Sequence, residues 1–441
     1  MEFINTYLSG YIMPLLLMGT GLFFGIRTRF FYVLHPLDLT RELKSTGKGS
    51  GISPKRALTQ ALAGTLGVGN MTGVASAVCQ GGAGAVFWMW MSALLAMSIK
   101  YFEVALAVKC RRRDGDGYYG GAMYYIRDIF KDTFPRLCRV LGISFALLCI
   151  VNSLLTGNIV QINSAAGALE NIPPIVTGVL CALLTLPVVL GKGKRISAVT
   201  LGLIPFLSIL YIVISLIIIV PQAPRLPRVL SEIFEGAFSL RAAGGGAGGY
   251  LIARAIRFGT TRGIFSNEAG SGTSPTAHAS AEAKSPHAQG CFGIFEVFAD
   301  TIVLCSLTAF VILLSDGCAK GLDGIRLTVY AFSSQAGSTA GTVIAISVLL
   351  FAYATVICQT GYGTVALQSI TKRKSFFYCY IALSFTATVF GAIISQKIMW
   401  QAADLVISLM TVLNVLCLIA AEKKGYLKSV LTSNQHIEYL K

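Results

Sequence analysis

Long runs of apolar residues, separated by short polar segments, fill most of the 441-residue chain. A helix that crosses a bilayer needs about 20 apolar residues. The stretches that meet or approach this length are residues 7–25, 57–80, 83–108, 137–165, 172–190, 196–220, 244–281, 291–314, 342–366, 376–394 and 400–421. The pattern predicts an all-α polytopic membrane protein with about 11 transmembrane helices.

Two of these stretches are built to interrupt a helix. Residues 62–80 read LAGTLGVGNMTGVASAVCQ, with glycine at 64, 67, 69 and 73, and residues 244–281 are rich in glycine and serine. A backbone group freed inside a membrane must be satisfied by protein or by a lined cavity. Half-helix ends that meet near the bilayer midplane bind ions and carboxylates. Both breaks are therefore predicted to form a binding site, and close helix packing through small residues is the alternative for the first.

The positions of the breaks predict an inverted repeat. Five spans begin with the first break, in residues 57–220, and five more begin with the second, in residues 244–421. Discontinuous helices at corresponding positions of two opposed repeats are typical of secondary transporters. The expected organisation is a single transmembrane domain over residues 1–441, with an extra N-terminal helix at 7–25 and a cytoplasmic tail at 422–441.

Composition agrees with a membrane protein, and the charge distribution predicts its orientation. Hydrophobic residues make up 54% of the chain, charged residues 13%, and the mean hydropathy is +0.69. One set of loops contains 26 lysines and arginines and the opposite set six, so the first set is predicted to be cytoplasmic. The N-terminus then lies outside and the basic C-terminus inside. The N-terminal segment lacks a basic start and a cleavage pattern, so it is interpreted as a retained span of a plasma-membrane protein. The net charge of +16 is explained by these loops, without nucleic acid as a partner.

Charged residues inside apolar stretches are candidates for function. Asp300 lies in the eighth span and is interpreted either as a proton carrier or as a structural carboxylate. Glu268, in the second break, is interpreted in the same two ways, and as a structural carboxylate it is expected to pair with Arg262 or Arg257. Lys100 and Glu103 are spaced i, i+3, which favours a local pair on one helix face.

Other functional classes find little support in the sequence. The 11 cysteines are scattered, without CxxC pairs or neighbouring histidines, so free thiols and no metal centre or resident cofactor are expected. No nucleophile–base pair, HExxH motif or phosphate loop was found that would indicate an enzyme. A channel is a further alternative, but two opposed broken helices favour alternating access. An amino-acid sensor that binds its ligand without net flux is another alternative.

Several long blocks resemble the alanine or glycine:cation symporter family. They are ALAGTLGVGNMTGVASAV, GGAGAVFWMWMSALLAMSIKYFEVALAVKCR, YYGGAMYYI, GNIVQINS, AIRFGTTRGIFSNEAGSGTSPTAHASA and GIFEVFADTIVLCSLTAFVIL, and they cover most of residues 55–315. The resemblance implies a leucine-transporter-type five-plus-five fold with one extra N-terminal helix. It also implies uptake of alanine, glycine or a similarly small neutral amino acid, coupled to sodium or, in some members, to protons.

The same resemblance implies a set of site residues. The substrate-binding positions are Thr65, Gly67, Gly69, Asn70, Gln161, Phe265, Asn267, Thr355 and Gln359. Sodium would be held by the backbone carbonyls of Ala63 and Leu66 and by the hydroxyl of Thr355. Oxygen ligands of this kind suit a hard cation.

The chain departs from the family pattern at three positions of this site. Ala354 stands where a serine hydroxyl is usual, Gln359 where tryptophan is usual and Val68 where threonine is usual. The missing hydroxyl weakens the implied sodium site, and Gln359 makes the pocket wider and more polar. A proton-coupled transporter of a more polar amino acid, such as serine or glutamine, is therefore the main alternative.

Overall fold

A computed structural model describes residue 5 and residues 7–44, 52–114, 117–238 and 247–432. The helices are α1 (Leu8–Arg27), α2 (Phe31–Leu34), α3 (Pro36–Lys44), α4 (Pro54–Thr65), α5 (Gly69–Gly81), α6 (Gly84–Lys109), α7 (Ala122–Phe130), α8 (Pro135–Ala168), α9 (Pro174–Leu190), α10 (Lys192–Ile219), α11 (Leu226–Phe238), α12 (Ala247–Asn267), α13 (Pro275–His278), α14 (Pro286–Leu313), α15 (Gly324–Ile370), α16 (Lys374–Gly391), α17 (Gln396–Lys423) and α18 (Tyr426–Thr432). A 3-10 turn, Val220–Arg225, joins α10 to α11, and two short antiparallel strands, β1 (Arg112–Asp114) and β2 (Gly117–Tyr119), precede α7.

Several helices begin at side-chain caps that the sequence supplies. The Ser53 hydroxyl accepts a hydrogen bond from the Arg56 N–H at the start of α4, and Ser285 accepts one from the Ala288 N–H at the start of α14. A proline follows each serine as the first helical residue, where its missing N–H costs nothing. These caps satisfy N–H groups that a helix start otherwise leaves unpaired.

The helical membrane architecture agrees with the prediction, but the number of spans is not confirmed. Among the described residues, seven helices are long and apolar enough to cross a membrane, and α4 with α5 forms a bent eighth. Helix α9 is apolar but shorter, at 17 residues. The remaining predicted spans correspond to α16 and to α12 with α13. The count of eleven stays a prediction, as do the boundaries of the two repeats.

The interior is formed by helices that are buried on most sides, surrounded by helices with apolar outer faces. Helix α6 packs against α1, α12 and α14, while α15 packs against α8 and α10. Leu184 on α9 and Ile209 on α10 are about three-fifths exposed, at 60% and 62%. Apolar side chains exposed in this way suit contact with lipid.

Two predicted segments are only partly within the described residues. Of the predicted tail at 422–441, the structure describes residues up to 432, where α18 packs through buried Leu427 and Val430. Residues 433–441 lie outside the described part of the chain, as do residues 244–246 at the start of the second glycine-rich stretch.

Candidate functional site

The first interruption separates α4 from α5, whose axes differ in direction by 51°. Helix α4 ends at Thr65 and α5 begins at Gly69. Between them Leu66 has ψ 64°, outside the helical range, and its N–H still bonds to the Leu62 carbonyl at 2.6 Å. The carbonyl end of one half-helix and the N–H end of the other therefore face the same gap, as the glycine pattern predicts.

Side chains from two other helices approach the backbone of this first break. Thr355 Oγ1 of α15 donates to the Ala63 carbonyl at 2.9 Å, and the Val68 N–H donates to Gln161 Oε1 of α8 at 3.0 Å. A Cβ added at Gly67 would lie 2.4 Å from Gln161 Oε1 and 2.8 Å from Thr355 Oγ1. Glycine is thus required at position 67 because both polar side chains occupy the space of its missing side chain.

The second interruption is a seven-residue loop, residues 268–274, between α12 and α13. Glu268, Gly270 and Gly272 have positive φ values of 51°, 83° and 78°. The carboxylate of Glu103, on α6, accepts hydrogen bonds from the N–H groups of Gly270 at 3.0 Å and Gly272 at 3.1 Å. Asn414 of α17 donates to Glu103 Oε1 at 2.5 Å and to the Gly270 carbonyl at 2.9 Å. A buried carboxylate and an amide therefore satisfy the loop backbone.

The two breaks meet, and Asp300 joins them. An added Cβ at Gly69 would lie 3.4 Å from the Ser266 Cα. Asn70 Nδ2 donates to Asp300 Oδ1 at 2.7 Å, and Ser266 Oγ donates to Asp300 Oδ2 at 2.8 Å. Asp300 lies in a π-helical segment of α14, Phe298–Cys305, a local irregularity that frequently marks functional positions. The candidate carboxylate thus contacts both interrupted helices.

One polar atom of this cluster lacks a partner. Asn70 is 2% exposed, and its Oδ1 atom is buried without a hydrogen-bond partner among the described residues. Its Nδ2 atom is already engaged by Asp300. A buried unsatisfied amide oxygen in a native structure calls for an explanation, and a cation or a donor group of a ligand would satisfy it.

Gln359 connects the same region to the second break. Its Nε2 atom donates to the Gly64 carbonyl at 3.3 Å and to Glu268 Oε1 at 3.0 Å. Glu268 also accepts from the Thr273 hydroxyl. The expected pairing of Glu268 with Arg262 or Arg257 is wrong: Arg262 pairs with Asp404 of α17 at 3.3 Å. The left-handed backbone at Glu268 ends α12 and places this carboxylate beside Gln359.

The expected local pair of Lys100 with Glu103 is also wrong. Lys100 Nζ donates to Ser274 Oγ at 2.7 Å and lies 3.5 Å from Glu296 Oε1 of α14. His278 Nε2 in turn donates a hydrogen bond to Glu296 Oε2 at 3.0 Å. The side chains of Lys100, Glu296 and His278 are fully buried, and buried ionisable groups need partners. These partners lie on other elements, and Lys100 does not pair with Glu103 one turn away on its own helix.

Two more of the predicted substrate residues, Thr65 and Asn267, also make side-chain hydrogen bonds within the protein. The Thr65 hydroxyl donates to the Ala61 carbonyl of its own helix at 3.3 Å. Asn267 donates to Thr301 Oγ1 at 3.1 Å and accepts from the Ala269 N–H at 3.0 Å. These contacts shape the breaks, and the Thr65 hydroxyl, whose proton is engaged, keeps its capacity to accept a hydrogen bond.

A cavity of about 380 Å³ opens beside the first break. It is lined by Asn5, Ser9, Gly10, Thr72, Ser76, Gln80, Arg257, Phe258, Thr261, Arg262, Asp323, Gly324, Gln396, Lys397, Trp400, Gln401 and Asp404. Trp400 packs against the ring of Phe265 with centroids 4.9 Å apart, and the Arg262 guanidinium lies 4.7 Å from the Trp400 ring centroid. Phe265 contacts Trp400 of the cavity and, on the other side, lies 3.6 Å from the position of an added Cβ at Gly69, so it stands between the cavity and the first break.

The sequence did not predict two features of this region: the contact of Trp400 with Phe265 and the binding of the 268–274 loop by Glu103. Glu103 had a signal, since a carboxylate in the apolar run of α6 is costly unless bonded. Trp400 had none beyond its place at the start of an apolar stretch. The structure brings together Ala63, Gly67, Gln161 and Thr355 at the first break, and Asn70 with Asp300 where the breaks meet.

A structure of similar fold belongs to a membrane transporter. The chain superimposes on the Eremococcus coleocola manganese transporter with a TM-score of 0.52 over 83% of this chain and 76% of that one. Sequence identity is 17%, so this likeness concerns the fold alone.

Sequence comparisons extend over nearly the whole chain. The amino-acid carrier protein AlsT of Bacillus subtilis is 35% identical, over 93% of this chain and 87% of its own length. The sodium/alanine symporter AgcS of Methanococcus maripaludis is 35% identical, over 94% of this chain and 93% of its own length. The model of the sodium:alanine symporter family matches residues 1–431. The chain therefore belongs to the sodium:alanine symporter family of membrane transport proteins.

Proposed function

We propose that this protein carries a small neutral amino acid, alanine or glycine, into the cell together with sodium. The observation that supports this most directly is the meeting of two interrupted helices, where Asn70 and Ser266 both bond to Asp300. Half-helix ends that converge in this way supply N–H groups for a carboxylate and carbonyls for a cation. Family membership and the name of AgcS support the same function.

The substrate would lie against the first break. Gly67 lets the Gln161 and Thr355 side chains approach its backbone, and Gly69 lies next to Phe265, so Gln161 and Phe265 would form adjacent walls. The N–H groups at the start of α5 would bind the substrate carboxylate. Overlap with these close walls would exclude large side chains, although one methylene is discriminated by only about 1–3 kcal/mol.

Sodium would lie at the carbonyl end of α4. The Ala63 carbonyl and Thr355 Oγ1 are 2.9 Å apart, and the Leu66 carbonyl follows within the same turn. These are oxygen ligands, which hard cations prefer. The serine hydroxyl usual in the family is replaced by Ala354, so another oxygen or a water must complete the coordination.

Asp300 would act as the carboxylate that links ion or proton binding to the geometry of both breaks. Its partners lie on α5 and α12, so a change in its charge alters contacts of both interrupted helices together. The unpaired Asn70 Oδ1 offers a further oxygen at this position. Alternating access would then move the helices of residues 57–220 and 244–421 relative to each other, with the N-terminus outside.

Transport is tested with the purified full chain in proteoliposomes, through uptake of radiolabelled alanine, glycine, serine and glutamine. An imposed sodium gradient, with and without a pH gradient, is compared with a potassium gradient and with protein-free liposomes. We expect accumulation of alanine or glycine that requires sodium. Uptake driven only by protons would contradict sodium coupling, and binding without flux would contradict transport.

A second candidate substrate is a polar amino acid, because Gln359 brings an amide between Gly64 and Glu268. In this case the amide would exchange these partners for polar groups of the substrate. Uptake of glutamine or serine in preference to alanine, in the same experiment, would favour this candidate.

A further inference from the structure

Two cysteines from distant parts of the chain lie side by side at the edge of the cavity. Cys79 lies in the last turn of α5, and Cys318 lies in the segment 314–323 that joins α14 to α15. Their sulfur atoms are 2.9 Å apart, and Cys79 Sγ is also 3.3 Å from the Leu322 carbonyl. The sequence predicts only scattered thiols, because 239 positions separate the two residues.

Both sulfurs are within reach of solvent reagents. Cys318 is exposed and Cys79 partly exposed, whereas Cys110, Cys138, Cys149, Cys181, Cys291, Cys305, Cys358 and Cys417 are buried. The Cys79 thiol, by donating a hydrogen bond to the Cys318 sulfur, holds the pKa of the Cys318 thiol below its ordinary value. The thiolate is the form that attacks a disulfide.

We propose that Cys79 and Cys318 form a reversible disulfide, a redox modification site that joins α5 to the segment 314–323. A disulfide needs sulfur atoms about 2.05 Å apart, so the two sulfur atoms, now 2.9 Å apart, must approach by less than 1 Å. The loop-charge count predicts that this face is extracellular, where disulfides persist.

The bond would form by thiol–disulfide exchange with a small disulfide such as glutathione disulfide. The Cys318 thiolate attacks one sulfur of the oxidant and releases the first glutathione thiol. Cys79 then attacks the mixed disulfide and releases the second. The two cysteines lose two protons and two electrons in total, and the oxidant is reduced to two thiols.

The position of this bond gives it a mechanical consequence. Gln80, next to Cys79, donates to Asp323 Oδ2 at 3.3 Å, and both residues line the cavity. Thr328, at the start of α15, donates to the Met71 carbonyl of α5 at 3.1 Å. These non-covalent contacts can separate when the outer half of the first interrupted helix moves. A covalent bond cannot, so the oxidised protein is expected to hold this wall of the cavity in place.

Formation of the bond is tested in the purified full chain, after treatment with glutathione disulfide and alkylation of the remaining thiols. Peptide mass spectrometry should detect a reducible link between the peptides that contain residues 79 and 318. The Cys79→Ser and Cys318→Ser variants should lack it, while Cys379→Ser, which removes another exposed thiol, should retain it. Absence of the linked peptide from the oxidised wild-type chain would overturn the proposal.

The mechanical consequence is tested by uptake into proteoliposomes, and this part rests on the proposed transport function. Oxidation should lower the initial rate by about fivefold or more, since such movements set the turnover of many proteins, and dithiothreitol should restore it. Cys318→Ser should be insensitive to the oxidant, and Cys379→Ser should respond like the wild type. A linked protein with an unchanged uptake rate would overturn the clamping role. If no substrate is transported at all, the peptide measurement still decides whether the bond forms.

Discussion

The two helix interruptions satisfy their free backbone groups with different side chains. At the first, only three residues separate α4 from α5, and glycines let Thr355 and Gln161 reach the backbone. At the second, seven residues separate α12 from α13, and the Glu103 carboxylate binds the N–H groups of the loop. One break is approached by neutral hydroxyl and amide groups, the other by a buried charge.

Because of this difference, a ligand can replace the contacts at the first break more easily than those at the second. A hydroxyl or amide contact with a backbone carbonyl contributes about 0.5–1.5 kcal/mol, which a bound ion or amino acid can replace. Hydrogen bonds to a buried carboxylate are stronger, and their loss leaves a charge without partners. We infer that the first break serves ligand binding, while Glu103 and Asn414 keep the second break in shape.

The largest effect is expected from Glu103→Gln, which tests whether the second break is structural. The variant replaces one of two carboxylate oxygens, which together accept from three donors, by an NH₂ group, so at least one donor loses its acceptor. Each unsatisfied buried donor costs about 1–3 kcal/mol, so uptake should fall by about a hundredfold and the unfolding temperature in detergent should drop. Glu422→Gln, which removes an ion pair with Arg27 at the protein edge, is the matched control. A Glu103→Gln protein that unfolds and transports like the wild type would contradict the structural role.

Asp300→Asn tests the point where the two breaks meet. Asparagine preserves the size of the side chain but removes the charge that Asn70 and Ser266 contact. Sodium-driven uptake should fall by about tenfold or more, and the loss of charged hydrogen bonds, which contribute about 1.5–3 kcal/mol each, should lower the unfolding temperature by less than Glu103→Gln does. Asp316→Asn, at an exposed position, controls for the loss of one acidic group.

Uptake by the Asp300→Asn variant under a sodium gradient and under a pH gradient distinguishes two roles of Asp300. Loss of sodium dependence with substrate exchange retained would indicate an ion-coupling role. Equal loss of folding and transport would show that Asp300 is a structural bridge only.

Gly67→Ala, compared with Gly73→Ala, tests whether the first break needs the close approach of Gln161 and Thr355 to its backbone. A Cβ at position 67 would overlap Gln161 and Thr355, but one at position 73 would lie 4.0 Å from the Arg262 side chain, in ordinary contact. Overpacking costs about 1–3 kcal/mol, so Gly67→Ala should reduce uptake by about tenfold and Gly73→Ala much less. Equal effects of the two substitutions would refute this account.

Gln359→Met is expected to give the smallest effect, on selectivity rather than on rate. Methionine has similar length and no amide, so the contacts with Gly64 and Glu268 are lost. The ratio of glutamine to alanine uptake should change by about fivefold, within the range of pocket discrimination. Gln222→Met, whose amide contacts Gln335 in another part of the fold, is the control. An unchanged ratio would remove Gln359 from the selectivity-determining residues.

The sequence predicted the local features of the site well. Glycines in an apolar stretch predict a break because they cost helix stability, and α4 does end within that stretch, at Thr65. The family resemblance indicated Ala63, Gln161 and Thr355, which the structure brings together at that break. Their assignment to substrate and sodium stays a prediction.

Partner choice for the charged groups could not be read from the chain. The spacing of Lys100 and Glu103 suggested a pair, yet one contacts Glu296 and the other a loop 167 residues away. Nor did the sequence place Cys79 beside Cys318 or Trp400 against Phe265.

Hydropathy and glycine placement by themselves determined that the chain is a helical membrane protein with two interrupted helices, because these properties depend on a local window of residues. Only the tertiary structure decided which carboxylate binds which break, because a buried charge takes whatever donors the packed helices bring within reach. Glu103 therefore binds the second break rather than Lys100, and Asp300 is shared by both interrupted helices.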